Sequence, residues 1–311
     1  MKSISLLLAF ITLANYSYSQ SNFCAKELSF SIDNDVLLVL DEYYTAGHFL
    51  TYRKLFTGKS LLRRNDSTKL IQYYRYGNKI FTPKTIGSSD TRRMDRPYAG
   101  WNFISSGFIR FQNANSAEQL EAELGVVGPA SGMVKLQEWW HDKFNLPEPK
   151  GWNSQIRNEV VLNLSYKYLR SFTLTRGIEL MSQTNAVAGT GQNRISQQLI
   201  LRAGDTNSIR ASGFFNGRLG SGSIDHDEEF FLYGGWGLDY VLSNIFIEGS
   251  LFHANKSPYT LAALPWVRRT IIGLLHTDQK STFILEVNFL SKEIERASKH
   301  GFVTITYSHR W

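Results

Sequence analysis

The most reactive arrangement in this 311-residue chain is a histidine, His141, placed four residues after Gln137 in the segment Met133–Phe144. The segment has helical periodicity, so both side chains share one face. A histidine titrates near neutral pH and is the natural general base for activating water. Taken alone, a helical histidine is more often structural. Histidines 48, 226, 253, 276, 300 and 309 form no HExxH pair, which argues against zinc. Gly220-Ser221-Gly222-Ser223 reads as a flexible linker, and no GxSxG elbow occurs. A hydrolase built from this chain would therefore use water as its nucleophile.

Two further clusters carry chemistry. Asp33-Asn34-Asp35, followed by Tyr43-Tyr44-Thr45, supplies oxygen donors of the kind a hard cation such as Ca²⁺ takes, although an Asx-rich turn has the same composition. No complete EF-hand loop is present. Lys84, Arg92, Arg93 and Arg96 form a basic group suited to phosphate, which an ordinary solvated loop could equally contain.

These groups must be positioned by strands. Alternation of apolar and polar residues predicts strands at Glu27–Asp35, Thr45–Phe56, Lys69–Phe81, Ala99–Gln112, Ala117–Val127, Gln155–Leu169, Phe172–Gln183, Ile195–Ala203, Phe230–Leu242, Val267–His276, Thr282–Ser291 and Gly301–Trp311. In the sixth, Ile156, Val160, Leu162, Leu164, Tyr166 and Tyr168 fall on one face, and polar residues on the other. That is the pattern of a transmembrane barrel with lipid outside and a polar lumen. Ile245–Phe252 reads as an extension of the ninth strand, which keeps the count at twelve, an even number. Parity then puts the first, second and third odd-to-even connections, with Asn34, Lys84 and His141, at the outer rim. Asn113–Ser116, a tight Arg170-Ser171 turn and Thr277–Lys280 serve as short inner turns, and Asp205–Asp227 is a long exception. Trp101 is expected at the headgroup level, and Trp139 and Trp140 in the interfacial zone or on the barrel wall.

The bulk composition agrees with export and with a barrel. Residues 1–20 have one lysine, an apolar core and a small polar end, as a signal peptide does. No later stretch is long and apolar enough for a membrane-spanning helix. The single cysteine, Cys24, excludes a disulfide framework and lies in a poor context for lipidation. Fifteen Tyr and twenty Phe are many for so polar a chain and suit a barrel of a Gram-negative outer membrane. The net charge of +7 in an exported protein suggests anionic glycolipid or phosphate partners rather than nucleic acid, although such a surface more often serves solubility alone. The terminal Trp311, with Val303, Ile305 and Tyr307 alternating before it, is similar to the C-terminal signal of inserted barrels. The fold expected is all-β: a twelve-stranded antiparallel transmembrane β-barrel over residues 21–311 with a short helix in an extracellular loop.

Asn34-Asp35, Tyr44-Thr45-Ala46-Gly47, Asp95-Arg96-Pro97-Tyr98-Ala99-Gly100-Trp101, Gly125-Val126-Val127-Gly128-Pro129, Gln137 with His141, and Gly151-Trp152 with Gln155 and Glu159 occur in an order that resembles the outer-membrane lipid A deacylase family. The resemblance implies a Ca²⁺-dependent esterase at the outer rim that removes the 3′-linked acyloxyacyl group of lipid A. It implies His141 as catalytic base, Asn34, Asp35 and Thr45 as further catalytic residues, and Asn34 and Asp35 as metal ligands. Lys84, Arg92, Arg93, Arg96 and Gln137 would bind substrate. The family's acidic residue after the histidine has no clear counterpart, since Pro147 and Glu148 stand there. The expected partners are lipopolysaccharide and the outer membrane, with the chain acting as a monomer. The alternatives are a non-enzymatic pore or adhesion scaffold, and a barrel acting on glycerophospholipid.

Overall fold

The computed structural model describes residues 24–35, 42–60, 62, 68–220, 227–252 and 257–311; residues 1–20, expected to be a signal peptide, and His226 and His253 lie outside them. Twelve antiparallel strands close into one barrel in which each strand pairs with its sequence neighbours and β1 pairs with β12. They are β1 Lys26–Asn34, β2 Tyr43–Leu55, β3 Lys69–Thr82, β4 Ala99–Asn113, β5 Ser116–Val127, β6 Glu159–Thr175, β7 Ile178–Gly189, β8 Gln192–Asp205, β9 Glu229–Asn244, β10 Trp266–Thr277, β11 Ser281–Leu290 and β12 His300–Arg310. The closing seam joins Glu27 opposite Arg310 through to Asn34 opposite Val303, with Ser31 and Thr306 hydroxyls 2.7 Å apart.

Alternation sorts the two faces as expected. Val160, Leu162, Leu164 and Tyr166 on β6 are exposed outward, whereas Asn163 is buried inside. The lumen is filled by charges in mutual contact: Arg75 with Glu121 at 3.0 Å, and Arg194 and Arg269 sharing Asp239 at 3.4 Å each. Tyr44 donates to Asp33 at 2.6 Å, and Tyr233 donates to Glu286 at 2.9 Å. Buried charges are retained where partners compensate their lost hydration.

Four expectations are corrected. β6 begins at Glu159 rather than Gln155, because Trp152–Ser154 forms a 3-10 turn and Ile156 N donates to Tyr98 O, which spends those residues on docking the loop. The turn expected at Arg170-Ser171 lies at Arg176-Gly177, where Gly177 has φ 75°; Arg170 and Ser171 stay paired with Ser182 and Met181. Residues 245–248 form a one-turn helix, α2 (Ile245–Glu248), capped by the Asn244 side chain on Phe246 N, instead of extending the ninth strand. Trp101 is 3% exposed and stacks on Phe103 inside the barrel, so it is no headgroup anchor.

The described first part of the long β8–β9 connection, residues 206–220, is a plug. Ile209, Phe215 and Leu219 are buried in one cluster with Ile71, Phe111 and Phe231 of the barrel wall. Its first part is held by the strand ends: Glu229 accepts from Asn207 N at 2.7 Å and Gly213 N at 2.8 Å, and Arg202 donates to Asn207 O and Ser212 Oγ. A long connection at the short-turn end is thus accounted for by burial within the barrel.

Candidate active site

The helix α1, Met133–Phe144, starts from Gly132 in the left-handed region and buries Met133, Gln137 and His141, one stripe at four-residue spacing. Its first turn rests on the outer wall of the barrel. Lys79, beside the Trp101 and Tyr44 rings, and Phe81, stacked on Phe246, point into the lumen, so Ile80 between them points outward. Ile80 packs with Met133, and a Cβ on the adjacent Gly100 would lie 2.5 Å from Met133 Cβ. Asn102 Nδ2 donates to Ser131 O at 3.3 Å on the same wall.

Strand register shows what lies beside that contact. Asn34 pairs with Ala46, Ala46 with Ile80 and Ile80 with Gly100. Paired residues share a face, so Asn34 stands on the outer wall in the row that carries α1, two strand spacings, or about 10 Å, from Ile80. Thr45 occupies the bulge between Tyr44 and Ala46, and its hydroxyl lies 2.7 Å from that of Thr82, which shares the side of Ile80. The next row toward the lipid band is polar in its middle: His48, Asn78 and Asn102 are register partners, with His48 Nδ1 2.9 Å from Asn78 Oδ1.

The imidazole of His141 is 4% exposed, and its Nδ1 is 2.6 Å from the carbonyl oxygen of Pro147. A carbonyl only accepts, so Nδ1 carries the proton and Nε2 the lone pair. This geometry is made by the helix end. Asn145 has φ 54°, Leu146 N donates to His141 O at 2.8 Å, and the reversed chain delivers the Pro147 carbonyl to the ring. Gln137 is oriented too: Trp152 Nε1 donates to its Oε1 at 2.8 Å, which turns Nε2 away as a buried donor with no acceptor among the described residues. Glu148 is exposed and lies 3.7 Å from Lys150.

The remaining candidates divide between the two sides of the rim. Asp35 is fully buried and its Oδ2 accepts from Glu42 N at 2.6 Å. Lys84 Nζ reaches Glu42 Oε2 at 3.3 Å, which ties the β3–β4 loop to the loop that carries Asp35. Arg92 and Arg93 are exposed; hydrogen bonds from the Arg92 side chain and backbone hold the Asp90 carboxyl below the usual carboxylate range. Arg96 is turned to the lumen side, 2.6 Å from Glu293 and over the Phe81 ring, and so is not brought to the face that holds His141. Burial works against the charge on Glu293, but Arg96 and His300 outweigh it and keep this carboxyl below its ordinary range.

For a Ca²⁺ ion, which takes 6–8 oxygens, the Asn34 amide and Asp35 carboxylate are donors of the right type. Among the described residues no group of three or more His, Cys, Asp or Glu is arranged to hold a metal. The fit is therefore to a hard ion that completes its shell with backbone carbonyls, water or substrate oxygens.

The family model for outer membrane protein LpxR matches residues 5–311. The chain belongs to this family. Among solved structures, LpxR from Salmonella typhimurium is similar with a TM-score of 0.72 and 17% identity, covering 92% of this chain and 100% of that one. That similarity shows the shared barrel. The translocator domain of the autotransporter NalP from Neisseria meningitidis gives a TM-score of 0.45 at 7% identity over 100% of this chain and 95% of that one. The β domain of the Bordetella autotransporter BrkA gives 0.43 at 8% over 92% and 98%. No curated protein matches the chain by sequence. As a member of the LpxR family with a closed barrel, the protein resides in the outer membrane.

Proposed function

We propose that the protein is a lipid A 3-O-deacylase, a carboxylic ester hydrolase acting on the 3′-linked acyloxyacyl ester of lipid A in the outer membrane of a Gram-negative bacterium. The observation that supports this reading is the register that sets Asn34 in the row of the outer wall on which the first turn of α1 rests, with Thr45 bonded to Thr82 beside it. Lipid reaches that wall laterally, without passing through the lumen.

His141 Nε2 takes a proton from water as the water oxygen attacks the ester carbonyl, and the Pro147 carbonyl keeps the ring in the tautomer this requires. When the tetrahedral intermediate collapses, the same proton returns to the departing alkoxide. The donor Nε2 of Gln137 binds a substrate oxygen beside the imidazole. Asn34 and Asp35 would hold Ca²⁺, which when bound supplies Lewis-acid stabilisation for the charge that develops on the ester oxygen. Thr45, fixed by Thr82, orients the reacting ester. Lys84, Arg92 and Arg93 bind a lipid A phosphate. Residues 1–20 direct export, and the chain works as a monomer.

Mass spectrometry of lipid A from cells with and without the protein tests the reading. Loss of one acyloxyacyl unit is expected with the wild type, and none with His141→Ala. Unchanged lipid A together with channel conductance in planar bilayers would support a pore instead, and cleavage of glycerophospholipid alone would support a phospholipase.

A further inference from the structure

Below the polar row of His48, Asn78 and Asn102, the same wall carries two apolar rows. Register aligns Leu50, Tyr76, Ile104, Leu124 and Leu162 in the first, and Tyr52, Tyr74, Ser106, Ala122 and Leu164 in the second. Ser106 and Ala122 are small and directly paired, between Tyr74 on one side and Leu164 on the other. A step from large to small side chains on a continuous wall leaves a trough, and these rows line a groove of about 550 Å³. The Ser106 hydroxyl donates to Tyr73 O at 3.2 Å, so the floor carries a satisfied polar group.

We infer that this groove is the seat for the hydrocarbon chain of the ester being cut; the inference rests on the deacylase reading. Three observations favour an acyl chain over other occupants. The groove lies in the lipid-facing band, where Leu28, Leu50, Tyr74, Tyr76, Ile104, Leu124 and Leu162 are each more than two-fifths exposed. It runs on the same strands as the row that bears α1. From Ile80 in that row to Tyr74 at the floor is six residues along β3, about 20 Å. The hydrocarbon of one leaflet is about 15 Å deep, half the bilayer core. An ester held beside His141 therefore directs its chain down the wall into the trough, with the polar row at the level of the ester and its neighbouring oxygens.

Such a groove acts by shape. A hydrocarbon chain is already in an apolar medium, so moving it from lipid to protein yields little hydrophobic free energy. The gain lies in holding the chain in one place, which fixes the ester above it and makes the rate depend on chain length. Short chains leave the floor empty and long chains fill it.

The test compares two esters of the same lipid A headgroup, one long-chain and one short-chain, with wild-type protein and with Ala122→Phe and Ser106→Phe, in mixed micelles. The long-to-short ratio of kcat/KM is expected to fall at least about tenfold in both variants, the scale at which apolar pockets discriminate chain length. Heat-modifiable migration checks that each barrel is folded. A ratio equal to the wild type's in folded variants overturns the groove. Wild-type protein that cleaves neither ester refutes the hydrolase reading instead. The groove is then judged on binding: a lipid with a photoactivatable diazirine on its acyl chain should crosslink to the Tyr74, Ser106 and Ala122 region, and labelling spread evenly around the barrel overturns it.

Discussion

Replacing Gly100 with Ala should uncouple the helix from the wall while sparing the barrel. A Cβ at this position would sit 2.5 Å from Met133 Cβ and 2.5 Å from Ser131 Oγ. Non-bonded carbons settle at about 3.5–4.0 Å, so one side must yield by about 1 Å. β4 is held by Ile80 on one flank and by the Gly128 N to Gly100 O bond of 3.0 Å on the other. Met133 Cβ is rigidly attached to the α1 backbone, so the helix retreats and carries Gln137 and His141 with it. A misplacement of about 1 Å at reacting groups costs about 100-fold in rate. The expected result for Gly100→Ala is a fall of that order in kcat for acyl release, followed by mass spectrometry of lipid A in mixed micelles. Gly234→Ala is the control, because the atom nearest its added Cβ is 3.9 Å away. A wild-type rate in Gly100→Ala would refute the coupling of helix position to chemistry. Loss of heat-modifiable migration would place the damage in the barrel instead, and limited proteolysis within residues 128–158 distinguishes a lifted helix from an unfolded strand.

Other outcomes follow from the same contacts. His141→Ala and Asn34→Ala should each abolish acyl release in a barrel that still folds, and full activity in either sinks its assigned role. A Ca²⁺ chelator should stop acyl release by the wild type and Ca²⁺ should restore it, with Asp35→Asn raising the Ca²⁺ concentration required; activity indifferent to chelation removes the ion from the mechanism. Glu229→Ala leaves the buried amides of Asn207 and Gly213 without their acceptor, at about 1–3 kcal/mol each, and should lower the thermal midpoint of the barrel. Deleting residues 208–219 should raise ion conductance in planar bilayers above that of the wild type. Because Glu293 is depressed in the folded state, its contribution is present above the ordinary carboxylate pKa and is lost as pH falls through the folded value. The β11–β12 loop should therefore become protease-sensitive in acid, and Glu293→Gln should show that sensitivity already at neutral pH.

The barrel was legible because one periodicity, outward apolar against inward polar, recurs in most of the strands. Strand ends were less so. At Leu169 and Arg170 the alternation is inverted, which suggests a turn, yet the pairing runs unbroken through Arg170 and Ser171, and the positive φ of Gly177 marks the turn. Gln155 and Ile156 have the right alternation for a strand, but their backbone groups serve the loop. The plug was hidden for a different reason: Ile209, Phe215 and Leu219 are spaced irregularly, and their burial depends on the barrel closing around them. At the candidate site, His141 and Gln137 could be found from helical spacing, whereas the Pro147 carbonyl could not. A main-chain oxygen has no signature in side-chain identity.

A stronger signal was present in the alternation itself. In β1 the outward set is Leu28, Phe30 and Ile32, and the next member is Asn34. In β2, Tyr52 and Leu50 lead to His48; in β3, Tyr74 and Tyr76 lead to Asn78; in β4, Ile104 leads to Asn102. Each strand keeps its lipid-facing parity and places an amide or imidazole on it beyond the apolar rows, toward the end that carries α1. Register then puts the last three side by side, with Asn34 one row higher. A polar residue on the lipid face tends to weaken insertion, by an amount that falls toward the interface, so an isolated example means little. Four on adjacent strands, on the wall where the first turn of α1 rests, form a polar window in the lipid-facing surface. The parity that identifies the barrel also locates this window, once polar residues are compared with the face they occupy as well as with their neighbours in sequence.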